Sequence, residues 1–389
     1  MNKILFCLQT MTLGGVEKEL ITVLKKIHSN YDVTVLLLHL EDLEIIKEIP
    51  IDVKLKVLDI QKDYYYASTL EIIKQRIKRG KLIEAFEIGI KRCCNIGVTG
   101  SNLHLDDIPN VDEDFDVAIC YHIHSPLAFR YVAEKIQARK KIAWIHNDFF
   151  VTGYPIQRLR KYINKYDEFI SVSKKVEKEF RTLCPWYKGG ISTAYNYLDE
   201  KDILKLSNEC VVESTYLHEM SVKILTVGRF TEQKGIDLAI EVASMLKESN
   251  LKFHWFVIGY GELESTFKRL ISEKNICDCF TLLGKKKNPY PYMKLCDIYV
   301  QPSRHEAFPL VIMEAKILNR PIICTNFDGA DEQIINGRNG VIVPVNDVNA
   351  LFAQVSKLIQ YPELRNKLSS ELAKWCTEDD LKEIIKHFE

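Results

Sequence analysis

The chain has 389 residues, enough for two or three ordinary domains, and 47% of them are hydrophobic, ample for packed cores. Lys plus Arg and Asp plus Glu number 53 each, so the formal net charge is zero, which argues against a protein that coats nucleic acid. Eleven cysteines, odd in number and dispersed, fit reduced thiols in a cytoplasm, and no run of about 20 uncharged apolar residues is present to span a membrane. Of the close cysteine pairs, neither Cys93-Cys94 nor Cys277/Cys279 has the spacing or the nearby histidines of a zinc site.

The opening MNKILFCLQ has an apolar run too short for a signal peptide and reads as a first strand, Ile4–Leu8. It leads into Thr10-Met11-Thr12-Leu13-Gly14-Gly15 and a helix from Val16 to His28. Paired glycines allow a tight turn and close backbone approach to a ligand, and the helix start offers unpaired N–H groups to a phosphate. The same turn is equally read as a plain helix cap. Neither GxGxxG nor GxxxxGK[ST] occurs.

Strands are expected next at Val33–His39 and Lys54–Asp59. Lys74–Arg92 then interleaves Lys74, Arg76, Lys78, Arg79, Lys81, Lys91 and Arg92 with apolar residues at helical spacing. This basic amphipathic pattern suits an anionic membrane surface, and equally a core-packed helix with a wet basic face. The acidic run Asp112–Asp116 has DxD spacing, yet it precedes the strand Val117–His122 and so lies at the wrong end of a sheet; it reads as a solvated loop. The strand Lys141–His146 ends in Trp144-Ile145-His146-Asn147-Asp148, placing His146 at a carboxyl end, where it serves as a ligand contact or as a structural residue. His122 and His124 rank below it. Loops Gln61–Thr69, with Tyr64-Tyr65-Tyr66, and Phe149–Gln157 are candidates to meet an acceptor.

Glu168–Ser173 closes the first alternation, whose helices begin near Val16, Thr69, Pro126, Gln157 and Lys174. The polar stretch Asn196–Ser221 reads as an interdomain connection. A second alternation follows, with strands Val222–Val227, Phe253–Ile258, Thr281–Leu283, Ile298–Gln301, Ile322–Thr325 and Gly340–Val343 and helices from near Ile236, Leu263, Pro291, Pro309 and Asp331. Continuous apolar strands alternating with helices predict an α/β chain of two Rossmann-like, doubly wound domains, 1–200 and 201–373. Ligands are expected beyond the strands' carboxyl ends, in a cleft between the domains.

In the second domain Gly228-Arg229-Phe230 ends the first strand and Lys234-Gly235 follows closely, so a guanidinium and an ammonium project where a diphosphate can be neutralised without a metal. A solvated surface pair is the plainer reading. Ser303–Ala315, SRHEAFPLVIMEA, sets Glu306 and Glu314 eight positions apart, with Pro309 at a helix start. A carboxylate in the loop, a helix N-terminus and a carboxylate about 12 Å further on match a hexose, a diphosphate and a ribose in turn. The alternative is a buried helix bearing two solvated acids.

These motifs together resemble the retaining glycosyltransferases of family 4, with the two-domain GT-B fold: GGVEKEL at Gly14–Leu20, WIHND, YNYLD at Tyr195–Asp199, VGRFTEQKG at Val227–Gly235, VIGYGELE at Val257–Glu264, LLGKKKN at Leu282–Asn288, the Glu-x7-Glu segment, and DGADEQIINGRNGVIVP at Asp328–Pro344. The resemblance implies that Arg229 and Lys234 hold the donor diphosphate, that Glu306 meets donor-hexose hydroxyls and Glu314 the ribose, and that Gly14 and Gly15 close on a donor phosphate. It places His146 beside the transferred sugar and adds Gly228, Ala307, Phe308, Pro309 and Leu310 to the donor site. Ala307 stands where the family often has glycine, a methyl that bears on the sugar pocket. Residues 374–389 resemble the family's terminal helix, which crosses back onto the first domain. The implied activity is metal-independent, cofactor-free transfer of a hexose from a nucleotide diphosphate sugar, most simply a UDP-sugar, to a glycan or lipid-linked acceptor. It is expected in the cytoplasm, with 74–92 as its membrane-facing surface. A nucleotide-sugar epimerase of the same fold and a non-catalytic sugar-nucleotide-binding protein are the rivals.

Overall fold

The computed structural model describes residues 1–12, 14–58, 60, 105, 108–209, 212–217, 220–372 and 378–389, with isolated positions between 74 and 86. The chain forms two units, one of Met1–Tyr195 with Lys382–Glu389 and one of Asn196–Leu381. The sequence reading had set the division at 200 and the returning segment at 374.

The first unit holds β1 (Lys3–Leu8), β2 (Asp32–Leu37), β3 (Lys54–Val57), β4 (Asp114–Cys120), β5 (Gln137–Ile145), β6 (Glu168–Ser171) and β7 (Gly190–Thr193) in one parallel sheet of order β3-β2-β1-β4-β5-β6-β7. β1 lies inside it, between β2 and β4, and Ile4 to Cys7 are fully buried, as a strand covered on both faces requires. The strand order reverses at β1/β4, which directs ligands to the loops after these strands. Phe388, near the chain end, packs edge-on against Phe6 at 5.7 Å, and His387 Nδ1 lies 2.9 Å from Glu168 Oε1.

The second unit repeats the scheme with β8 (Val222–Val227), β9 (Phe253–Ile258), β10 (Phe280–Gly284), β11 (Ile298–Gln301), β12 (Ile322–Thr325) and β13 (Val341–Val343), in the order β10-β9-β8-β11-β12-β13. Its switch point is β8/β11, and Trp255, Ile224, Val300 and Ile323 form the buried centre.

Three expectations are corrected. Asp112–Asp116 is no solvated loop: β4 starts at Asp114, the Asp116 carboxylate accepts the Lys3 N–H at 2.7 Å and pairs with Arg139 at 2.9 Å, and Glu113 pairs with Lys3 and Lys56. Ion pairing across neighbouring strand starts draws the acids onto the sheet. Asn196–Ser221 is no bare connection but contains helices Glu200–Leu206 and Ser214–Leu217. Tyr216 is fully buried and donates to the Tyr292 carbonyl at 2.7 Å, while the Asn288 amide donates to the Leu206 carbonyl at 2.9 Å, so this stretch is part of the second unit. β7, absent from the sequence reading, is a short GIST strand at a sheet edge and only partly buried, so no apolar run announces it.

Gln61–Thr69, with its tyrosines, lies outside the described residues, as does 74–92 apart from isolated positions, among which Ile77, Leu82, Ile83 and Phe86 are exposed. Among the described residues, no helix is long and apolar enough to cross a membrane.

Candidate active site

In the second unit the chain leaves β8 through Gly228 and Arg229 and makes a single 3-10 turn, Glu232–Lys234. That turn ends at Gly235, whose φ of +64° is left-handed and whose missing Cβ would fall 2.0 Å from the Pro302 carbonyl oxygen. The close approach brings Lys234 against the loop after β11. Lys234 Nζ pairs with Glu306 Oε1, and its stem lies over Gly228, where an added Cβ would be 3.3 Å from Lys234 Cγ. The two paired side chains are only 15% and 9% exposed, so this is a nearly buried ion pair. Arg229 is exposed and makes no side-chain ion pair among the described residues, leaving a guanidinium open to solvent at the same strand end. Arg304 fixes the loop by a bidentate bond to Asp237, at 2.9 and 2.6 Å, and its backbone N–H donates to the Gln233 carbonyl at 2.7 Å.

Glu306 is held from behind. Ser303 Oγ donates to Glu306 Oε1 at 2.9 Å, Gln301 Nε2 donates to Ser303 Oγ at 2.8 Å, and the Tyr299 hydroxyl donates to Gln301 Oε1 at 2.8 Å. Buried relays of this kind lock a carboxylate in one orientation. The helix Leu310–Ile317 begins beyond it. Pro309 is its extended N-cap and provides no side-chain cap; the Ile312 N–H donates to the Pro309 carbonyl at 3.3 Å, and the helix start presents its positive end to an acceptor. Glu314 is 2% exposed and accepts from the Tyr290 hydroxyl at 3.1 Å. Ala307, Phe308 and Leu310 are buried around it. The Asn196 amide donates to the Phe308 carbonyl at 2.9 Å and its buried Oδ1 has no partner among the described residues, while Gly329, at φ +74°, lies so close that a Cβ would be 2.3 Å from the Ala307 carbonyl oxygen. The structure therefore gathers Gly228, Lys234, Glu306 to Leu310 and Glu314 around one loop and helix start. Asn196, Gln301 and Ser303 escaped the sequence reading; a Gln within an otherwise apolar strand was the available signal. Among the described residues, no group of three or more His, Cys, Asp or Glu side chains is placed to hold a metal ion.

The first unit carries a second cluster. His146 follows β5, and its ring lies 6.0 Å from that of Trp144, 6.1 Å from that of His122 and 4.8 Å from that of Tyr121. Asn147 Nδ2 donates to His122 Nε2 at 3.0 Å, and His124 lies 4.3 Å, centroid to centroid, from Tyr154. Adjacent parallel strands deliver His122, His124 and His146 to one place. The following loop is built: Asp148 accepts the Val151 and Thr152 N–H groups, Glu179 accepts that of Phe149, and Phe150 and Val151 are left exposed at its tip. Gly14 is an extended N-cap with no side-chain cap for the helix Gly15–Ile27. A Cβ there would meet only the flexible end of Glu17, so sterics do not demand glycine at this position.

Burial pushes the His122 imidazole down to about 4 and that of His124 to about 3, the latter helped by the neighbouring His122. His146 is also held well below the usual histidine range, by burial first and then by the other two. Between these values and the ordinary 6.5 the unfolded chain binds more protons than the folded one, so stability is lost as pH falls below about 6.5. Each buried neutral histidine contributes a slope of about 1.4 kcal/mol per pH unit. Asp380 in the second unit, raised to about 6 by burial, acts in the opposite sense. Urea midpoints for wild type and His122→Gln/His124→Gln at pH 7 and pH 5 should show a steeper acid loss in the wild type; parallel losses would contradict the assignment.

Residues 213–375 match the family model described as Glycosyl transferases group 1, a span that includes every second-unit site residue from Gly228 to Glu314. The chain is a glycosyltransferase. This enzyme is 26% identical over 311 residues to the amylovoran biosynthesis glycosyltransferase AmsK of Erwinia amylovora, which covers 76% of the chain and 73% of that protein. It is 32% identical over 143 residues to the Campylobacter jejuni N-acetylgalactosamine-N,N'-diacetylbacillosaminyl-diphospho-undecaprenol 4-alpha-N-acetylgalactosaminyltransferase, covering 36% of the chain and 38% of that protein. Among solved structures, Anabaena HepE in complex with UDP-glucose matches 100% of the chain and 99% of its own at a TM-score of 0.68 and 16% identity. At that identity the likeness shows the fold, which is GT-B: two Rossmann-like α/β domains.

Proposed function

We propose that this glycosyltransferase moves a hexose from a UDP-sugar to a glycan or lipid-linked saccharide in cell-surface polysaccharide biosynthesis, with retention of anomeric configuration and without a metal. The observation that carries this reading is the nearly buried Lys234–Glu306 pair beside the uncapped start of helix Leu310–Ile317, with Glu314 buried one turn further along. An ammonium and a carboxylate that neutralise each other in the free enzyme are a ready exchange set: Lys234 transfers to the diphosphate, and Glu306 accepts from hexose hydroxyls. Arg229 adds the second positive charge that a metal would otherwise supply. Glu314 accepts from the ribose hydroxyls, Gly228, Ala307, Phe308, Pro309 and Leu310 shape the donor site, and the Gly14-Gly15 turn offers backbone N–H groups to a phosphate. His146 lies beside the transferred sugar.

In the reaction the bond from the anomeric carbon to the phosphate oxygen breaks, that carbon bonds to the acceptor hydroxyl oxygen on the same face, and the hydroxyl proton passes to the departing diphosphate. Stabilising charge on the diphosphate supplies the main catalytic effect, and positioning of the acceptor the remainder. The UDP-glucose complex of HepE and the polysaccharide named for AmsK support the donor and product classes. We place the enzyme in the cytoplasm, with 74–92 against an anionic membrane surface; exposed Ile77, Leu82, Ile83 and Phe86 support this. The test is a transfer assay over UDP-hexoses and lipid-linked saccharides with EDTA present, reading the anomeric configuration by NMR. Retained configuration and undiminished turnover are expected. Inversion, a strict divalent-metal requirement, or a new nucleotide sugar formed without acceptor would each overturn the reading.

A further inference from the structure

Glu19 lies on the buried face of helix Gly15–Ile27, among Leu20, Val23 and Leu24, and is 1% exposed. A carboxylate in such a place costs several kcal/mol unless a partner compensates it. Its Oε2 lies 3.7 Å from His146 Nδ1, and both side chains are almost fully buried. That separation is longer than a hydrogen bond but within ion-pair reach, and contacts of this kind tighten when a ligand arrives. The other face of the imidazole is different. His146 Nε2 is buried and has no hydrogen-bond partner among the described residues, a condition that proteins rarely leave uncompensated. The groups facing this ring are Glu19 from the helix, Tyr121, whose backbone also hydrogen-bonds the imidazole, His122 and His124 from the segment after β4, and Trp144 from β5. None of the other groups is an anion at neutral pH, since burial and then Glu19 raise the Tyr121 hydroxyl far above its usual range.

We infer that Glu19 is a positioning residue for His146: its carboxylate keeps the imidazole proton on Nδ1, so that Nε2 presents a lone pair to a hydroxyl of the bound sugar. A neutral imidazole carries one proton, and an acceptor-only carboxylate beside Nδ1 decides which nitrogen holds it. The ligand group at Nε2 must then be a donor, which a sugar hydroxyl is and a phosphate oxygen is not. This inference rests on the proposed place of His146 beside the transferred sugar.

The test combines ¹⁵N-histidine NMR, with the His146 resonance assigned by its loss in His146→Ala, and transfer kinetics of Glu19→Leu and Glu19→Gln. The wild type should show the Nδ1–H tautomer from pH 6 to 8. Glu19→Leu fills the same buried space with apolar atoms and should fold. It should move the proton toward Nε2 and lower kcat about 10- to 100-fold, with UDP affinity unchanged. Glu19→Gln keeps an oxygen that can accept from Nδ1–H and should restore most of the tautomer and the rate. An Nε2–H tautomer in the wild type, or a wild-type tautomer and kcat in Glu19→Leu, would overturn the inference. Wild-type transfer by His146→Ala would instead overturn the proposed role of His146, whatever the tautomer.

Discussion

Lys234→Ala is expected to lower kcat/KM for transfer by about 10²–10³-fold, the usual cost of removing one preorganised charge from a developing anion. It should also destabilise the enzyme, because Glu306, 8% exposed, keeps Ser303 and Gln233 as donors but loses its paired cation. Breaking a buried pair on one side costs about 3–5 kcal/mol. The two effects separate in a cycle. Lys234→Met/Glu306→Gln leaves no charge unpaired and should recover most of the stability while transfer stays lost. Urea melts and initial rates on the single and double variants decide the matter. Recovery of activity together with stability would show that the pair serves only the fold.

Gly235→Ala should be a severely damaging methyl addition in the second unit. The new Cβ meets a backbone oxygen, Pro302 O, at 2.0 Å, and φ is +64°, so both the clash and the left-handed backbone oppose it. A loss of about 3 kcal/mol or more is expected. Gly337 is the control: its φ is +77°, but nothing lies within 4 Å of its Cβ position, so Gly337→Ala should cost only the backbone term of about 1–2 kcal/mol. Equal midpoint shifts in urea for the two variants would mean that the close approach of the β8 and β11 loops, which sets Lys234 against Glu306, is not a constraint.

The fold was legible where strands are continuous apolar runs. Val222–Val227, Phe253–Ile258, Ile298–Gln301 and Ile322–Thr325 are bounded as the sequence suggests, because burial on both faces keeps them mostly apolar. It was illegible at the edges: Gly190–Thr193 earns its place through parallel pairing with β6 rather than through hydrophobic content. Asn196–Ser221 misled for a related reason, since short helices packed by a few tyrosines look like linker when composition alone is read. Part of the site was readable. Glu306 and Glu314 fall before and within the helix as the Pro309 signal suggests, and Lys234 reaches Glu306. The supporting residues were not readable. Gln301 and Tyr299 hide inside a strand, and Glu19 sits in a helix whose one other acid, Glu17, is half-buried, so only three-dimensional placement shows that its carboxylate faces His146.

The most direct measurement is calorimetric titration of wild type and Lys234→Ala with UDP and, separately, with uridine. If Lys234, released from Glu306, grips the diphosphate, UDP affinity should fall at least tenfold in the variant, a loss of about 1.4 kcal/mol or more, while uridine binds both proteins alike. Equal UDP affinity in the two proteins would contradict the account.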